Sequence, residues 1–275
     1  MLKEMQFIEV DKVEVAMNRL RLHEAEALRR NPKGYYVAFS GGKDSCVVLD
    51  LCCRAGVKYH AHYNLTTVDP PELVQFIKKE YAEAWEGRER PAQTMWELIV
   101  KKRMPPTRVA RYCCKCLKES HGRGNVIVTG IRHEESSRRK KRKMEETCTA
   151  YKQTSYLHPI IDWTTDEVWE YIHTYHIPYC SLYDEDRTRV GCVMCPYKPS
   201  KQMLADAKRW PKIAACYKAA FGRMLAKRKA DGIEHTEWKT AEDVYDWWTH
   251  FNERHHEKDN ESIPLFGMMM DETDT

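Results

Sequence analysis

"FSGGKDSCVV", Phe39 to Val48, places two glycines, two serines, a lysine and an aspartate directly behind one apolar run and directly ahead of another. Upstream, "YYVAF" (Tyr35 to Phe39) reads as a short buried strand. Downstream, Val47, Val48, Leu51 and Cys52 share one helical face, and Gly56 suits the C-cap. A loop between a buried parallel strand and a helix lies at the carboxyl edge of the sheet, where α/β proteins bind ligands. Gly41 and Gly42 allow close backbone approach. The N–H groups opening the helix attract anions. Ser40 and Ser45 add hydroxyls and Lys43 adds charge, so the stretch reads as a phosphate cradle. It is not the Walker pattern, because four residues do not separate a first glycine from a Gly-Lys-Ser/Thr.

Working outward, Val13, Met17, Leu20, Ala27 and Leu28 define an N-terminal amphipathic helix, interrupted by Glu24 and ended at Asn31-Pro32. "VKYHAHYN" (Val57 to Asn64) is a second strand, and Pro70-Pro71 opens a helix to about Glu83. "NVIVTG" (Asn125 to Gly130) is another buried strand, and "YLHPIID" is read as one more. Thr164 and Glu167 have capping-box spacing ahead of Val168, Ile172 and Tyr175. Strands alternating with helices, without hairpin signals, argue a parallel sheet. From about Cys195 the chain reads as helical and aromatic, with Trp210, Trp238, Trp247 and Trp248, and "MMMDETDT" reads as a loose tail.

Composition narrows the class. The chain has 275 residues, 42% hydrophobic and 31% charged, with a formal net charge of +4. That is enough apolar material for a core and only a mild bias toward anionic ligands. No apolar run of about 18 residues suggests a membrane span. The N-terminus does not read as a secretory signal, so a cytoplasmic location is expected. Eleven cysteines, an odd number, then point to packing, metal ligation or catalysis rather than a disulfide framework. Cys113 and Cys114 are adjacent, and Cys192 and Cys195 form a CxxC. Two such pairs can supply four thiolates to one metal, and spacing alone suits zinc and an iron–sulfur cluster equally. Cys116 could replace one ligand.

"SGGKDS" matches the pyrophosphate loop of the adenine-nucleotide alpha-hydrolase superfamily. "NLTTVDPPEL" (Asn64 to Leu73), "RYCCKCLKE" (Arg111 to Glu119), "GIRHEESSRR" (Gly130 to Arg139) and "IPYCSLYDEDRTRVGCVMCP" (Ile177 to Pro196) follow in order. From about Tyr35 to Pro199 the chain resembles the phosphoadenosine phosphosulfate reductase family, especially its compact phage-like and bacterial branch. The resemblance implies a doubly wound α/β nucleotide-binding domain (33–190), to which the sequence pattern adds an N-terminal helical segment (1–32) and a helical C-terminal extension carrying the CxxC (191–275). It implies ATP or adenylyl sulfate with Mg²⁺ on Ser40, Gly41, Gly42, Lys43, Asp44, Ser45 and Asp69. It tips the quartet Cys113, Cys114, Cys192 and Cys195 toward a [4Fe-4S] cluster. Lys43, Asp44 and Arg132 are the candidate catalytic residues, Asp44 as a Mg²⁺ ligand.

Arg138 through Lys143, "RRKKRK", reads either as a solvated run or as an anion site. Arg132, Arg138 and Arg139 could fork onto a phosphate or sulfate, and the surplus charge suits RNA or DNA. His133, His158 and His235 are expected to be packed or solvated. The expected partners are an adenine nucleotide, nucleic acid through Arg138 to Lys143, a redox or sulfur-donor protein and a second copy of the chain. One departure matters. Reductases of this family attack with a cysteine in a C-terminal motif similar to "ECGLH". Here "DGIEHTEW" (Asp231 to Trp238) has none, and no cysteine follows Cys216. Sulfur transfer with ATP cleavage, and a non-catalytic nucleotide sensor, therefore stand beside sulfonucleotide reduction.

Overall fold

The computed structural model describes residues 11–119, 121–148, 153–185, 187–233 and 237–251. The readings of the first ten residues, of His235 and of the C-terminal tail lie outside them. In chain order the elements are α1 (Lys12–Arg30), β1 (Tyr35–Phe39), α2 (Lys43–Ala55), β2 (Tyr59–Tyr63), α3 (Pro71–Glu80), α4 (Ala82–Glu86), α5 (Met95–Lys102), α6 (Tyr112–Leu117), β3 (Val126–Val128), β4 (Glu145–Thr147), β5 (Ser155–Leu157), α7 (Thr165–Thr174), α8 (Ser200–Arg209), α9 (Pro211–Ala230) and α10 (Ala241–Thr249). Single 3-10 turns lie at His133–Glu135, Arg139–Lys141 and Ser181–Glu185. The chain divides into two compact units, Met1–Thr94 with Cys114–Cys192, and Met95–Cys113 with Val193–Thr275.

The first unit is an α/β sheet protein with strand order β2-β1-β3-β5-β4. β1 pairs in parallel with β2 and β3, and β3 pairs in parallel with β5. The expected parallel sheet needs one correction: β4 runs antiparallel to β5. Its sequence, Glu-Glu-Thr, is polar and largely exposed, so it carries none of the apolar alternation by which strands are recognised.

From β1 the chain moves to β2 on one side, and from β3 to β5 on the other. The carboxyl ends of β1 and β3 therefore flank the switch point of the sheet, where such folds bind ligands.

Local chemistry explains the elements around that point. Asp11 caps α1 by accepting the Val13 and Glu14 N–H groups at 2.9 and 3.1 Å. The buried stripe of α1 is Ala16, Leu20 and Ala27, while Val13, Met17 and Leu28 are only half-buried. Glu24, the interruption in that face, accepts the Lys58 N–H at 2.8 Å and fixes the chain just ahead of β2. Tyr35 of β1 donates its hydroxyl to the Leu20 carbonyl at 2.5 Å. The helix opened by the proline pair stops at Glu80 rather than Glu83. Tyr81 leaves helical geometry and packs on Phe39 and Phe76 at 4.7 and 5.4 Å between ring centroids. Thr164 caps α7 as its spacing indicates, with Glu167 reaching back to the Thr164 N–H.

The second unit is helical. α5 packs on α9, and α10 on α8 and α9. Its core centres on Trp248, whose ring lies 4.6 Å from Tyr217 and 5.3 Å from Phe221. The indole N–H donates to the Pro106 carbonyl at 2.6 Å. Buried Asp206 accepts the Met194 N–H at 2.9 Å and the Lys198 ammonium at 2.6 Å, so one carboxylate braces the chain on both sides of Cys195.

Candidate active site

The loop between β1 and α2 is built from its own polar atoms. The Ser45 hydroxyl donates to the Gly42 carbonyl at 2.8 Å and accepts the Ser40 N–H at 3.2 Å. Ser45 thus braces the loop from inside, while Ser40 is exposed. Gly41 has φ +71°, and a Cβ there would come within 2.7 Å of Leu73 and Ile77 on α3. That position demands glycine for its backbone and for its packing. Gly42 differs: a Cβ would meet Ser40 and Tyr183 at 3.4 and 3.5 Å, an ordinary contact.

Lys43 is buried, with its ammonium 3.1 Å from Asp44 Oδ2. The other Asp44 oxygen accepts from Arg132 Nε at 2.7 Å. Arg132 is almost fully buried at 2% exposure. Its Nη1 donates to Glu134 at 3.0 Å and to the Trp163 carbonyl at 3.1 Å, and its Nη2 to Thr165 at 3.3 Å. Burial opposes the guanidinium charge, but the Asp44 and Glu134 carboxylates outweigh it and raise the Arg132 pKa. Glu134 also accepts the Thr165 N–H and hydroxyl at 2.5 and 2.8 Å. These bonds, followed by the Arg132 contact, hold its carboxyl below the usual range.

The arrangement revises two expectations. Arg132 spends its fork on protein partners and so acts on Asp44 rather than reaching for an oxyanion. Asp44 already balances two cations, which makes it a counter-ion for Lys43 before it is a metal ligand. Sequence reasoning missed Gly130, beyond β3, whose Cβ would lie 2.8–2.9 Å from the Asp44 backbone and Cβ. It also missed Thr165, Trp163 and Tyr183. Asp69, further round the sheet edge, accepts the Thr66 N–H at 2.8 Å, and the Cys192 thiol donates to the Thr66 hydroxyl at 3.5 Å.

The basic run is divided by its pairing. Arg139 is bound to Glu135, and Arg142 to Glu146 at 2.6 Å. Arg138, Lys140, Lys141 and Lys143 are exposed. The Arg142 guanidinium also donates to His158 Nε2 at 3.3 Å. Arginine has no acceptor, so Nε2 carries no proton and Nδ1–H donates to the Thr129 hydroxyl at 2.7 Å. His158 is fully buried. Burial, then Arg142, Arg139 and His133, push its pKa down from 6.5 to about 3.

The native state therefore keeps His158 neutral, while the unfolded chain takes up a proton below about pH 6.5. Stability is expected to fall as pH drops from 6.5 toward 3, by about 1–2 kcal/mol at pH 5 from this residue. Urea midpoints at pH 7.5 and pH 5 for the native sequence and for His158→Gln test this. An equal loss in both proteins would remove His158 from the account.

The cysteines fall on both sides of the division of the chain: Cys114 and Cys192 lie in the first unit, Cys113 and Cys195 in the second. Among the described residues, no group of three or more His, Cys, Asp or Glu side chains is gathered to hold a metal ion.

Fold and site together define a mostly parallel α/β protein with a glycine-bent, serine-braced loop over a buried lysine at the switch point of its sheet. The phosphoadenosine phosphosulfate reductase domain model matches residues 34–198, more than half of the chain, and the chain belongs to that family. An adenosine 5'-phosphosulfate reductase of Staphylococcus haemolyticus is 31% identical over 187 residues, covering 62% of this chain and 74% of that one. An uncharacterized protein of Methanocaldococcus jannaschii is 29% identical over 185 residues, covering 64% of this chain. The match spans only 44% of that relative's length. The crystal structure of a phosphoadenylyl-sulfate reductase from Candida auris superposes with a TM-score of 0.49 at 17% identity, over 64% of this chain and 87% of that one. Among the described residues no helix is long and apolar enough to cross a membrane.

Proposed function

We propose that this chain is an adenine-nucleotide-dependent enzyme of sulfur chemistry. The observation that carries the reading is the loop at residues 40–45: a glycine bend braced by Ser45, opening a 13-residue helix over a buried lysine. ATP or an adenylyl sulfate lies with its phosphates against the Gly42 and Lys43 N–H groups, the exposed Ser40 hydroxyl and the Lys43 ammonium. Asp44 holds that ammonium in place, and Arg132 holds Asp44. Mg²⁺ held by the nucleotide phosphates would supply charge neutralisation for a leaving pyrophosphate. Arg138, which is exposed, suits an outer phosphate or sulfate oxygen better than Arg139, which is paired. Family membership and the adenosine 5'-phosphosulfate reductase relative support the substrate class.

A [4Fe-4S] cluster on Cys113, Cys114, Cys192 and Cys195 belongs to the same reading, on cysteine spacing and family resemblance. Metal sites commonly assemble with their metal rather than ahead of it. A second reading, ATP-driven sulfur transfer to RNA or DNA, is favoured by the exposed Arg138, Lys140, Lys141 and Lys143.

The test begins with anaerobically prepared protein, in which about four iron and four sulfide per chain are expected. Zinc without sulfide would reverse the metal assignment. The protein is then incubated with Mg-ATP and, separately, with adenylyl sulfates, with and without nucleic acid. Sulfite marks reduction, and AMP with pyrophosphate marks adenylation. Tight binding without any product under every condition would replace the enzyme by a nucleotide sensor.

A further inference from the structure

Tyr183 stands at the mouth of the phosphate loop, 140 positions along the chain from Lys43. Its hydroxyl oxygen accepts the Lys43 N–H at 3.0 Å. Burial raises the phenol pKa, while the backbone N–H groups of Lys43 and Val190 act on the same oxygen in the opposite sense. The ring meets Trp169 edge-on at 5.3 Å, and the Lys43 ammonium lies 5.9 Å from its centroid. A Cβ on Gly42 would sit 3.5 Å from the hydroxyl oxygen, which places that oxygen directly over the first turn of α2.

The Lys43 N–H is one of the donors that a helix cannot satisfy internally. Here a neutral phenol from a distant loop supplies the acceptor. A backbone N–H opening a helix is suited to an anion.

We propose that the Tyr183 oxygen is a resident stand-in for a phosphate oxygen, displaced when the nucleotide enters. This rests on the nucleotide reading given above. The exchange favours the phosphate, because hydrogen bonds to a charged acceptor are about twice as strong as neutral ones and the helix dipole adds to them. Until then Tyr183 keeps that donor satisfied and lowers the apparent affinity by the fraction of molecules in which it is seated. Ligands without a full negative charge at this point gain too little to displace it.

Calorimetric titration of Mg-ATP and of Mg-pyrophosphate into the native protein and Tyr183→Phe tests the idea. Phenylalanine keeps the ring but removes the competing acceptor and frees the Lys43 N–H. Both ligands are expected to bind about three- to tenfold more tightly. Unchanged affinity overturns the proposal. Weaker binding overturns it too, since the hydroxyl would then be contacting the phosphate. A second measurement serves if Tyr183→Phe fails to fold. Nucleotide should change the tryptophan emission of the native protein, and Trp169→Phe should abolish that change. An equal change in both proteins means that Tyr183 stays seated and overturns the proposal. A native protein that binds neither ligand sinks the nucleotide reading and this one together. Native binding without a gain in Tyr183→Phe sinks only this one.

Discussion

Arg132→Ala is expected to cost about 3–5 kcal/mol of folding stability, the usual consequence of removing one partner from a buried ion pair. The guanidinium is enclosed and makes four contacts with protein, two of them to carboxylates. Without it the Trp163 carbonyl loses its donor, Asp44 keeps only Lys43, and a cavity opens between the loop after β3 and the start of α7. Arg132→Lys should recover only part of the loss, because a single ammonium cannot span partners arranged around a planar fork. Urea unfolding of the alanine and lysine variants measures the effect. Adding Asp44→Asn to Arg132→Ala should cost further stability, since it leaves the buried Lys43 ammonium without its counter-ion. A loss below about 1 kcal/mol in Arg132→Ala would mean that the network behaves as if in solvent.

Gly130→Ala is the second large effect. Every near neighbour of the added Cβ belongs to Asp44, at 2.8–2.9 Å, and two of those atoms are backbone. Such a contact is relieved only by moving the carboxyl end of β3 away from the first turn of α2. Overpacking of this kind costs about 1–3 kcal/mol. It also shifts the N–H groups assigned to the phosphates, so Mg-ATP affinity should drop more than tenfold. Gly222→Ala is the control: its Cβ would meet only Ala241, at 3.8 Å, and it lies inside helix α9, where alanine is the better helix former. Calorimetry on both variants decides the matter. Equal nucleotide affinity in Gly130→Ala and the native protein would separate the β3 loop from the site.

The bend at residues 40–45 was legible because its chemistry is local. A glycine bend, hydroxyls within reach of the loop backbone and a helix start all lie within a few residues. The partners that complete it were not. Arg132 binds Asp44 across 88 positions and Tyr183 binds Lys43 across 140, and neither approach leaves a mark on spacing. Arg132 was picked out for an oxyanion, but its partners Asp44, Glu134, Trp163 and Thr165 come from three separate stretches of chain and could not be read from spacing. Gly130 looked like the end of an apolar strand, and only the packing of β3 against α2 shows why nothing larger fits. The run at residues 138–143 read as uniform charge. Two of its six members, Arg139 and Arg142, are tied to Glu135 and Glu146, each four positions away along the chain. β4 escaped notice for the opposite reason: it is a strand defined by its hydrogen bonds to β5 and by almost nothing in its side chains.

That polar strand has a further effect. A sheet edge with unpaired backbone groups is an open template on which another chain can build, and long apolar edges invite fibrous growth. Here one edge ends in only three residues, two of them glutamates, so an incoming strand finds little length to pair with and like charge if it has the same sequence. At the other edge the bridge between Asn64 and Glu89 continues the pairing past the end of β2, and α4 packs beside that strand. Both borders of the sheet thus resist the accretion of further strands, which protects a protein rich in apolar strand sequence from clumping at high concentration.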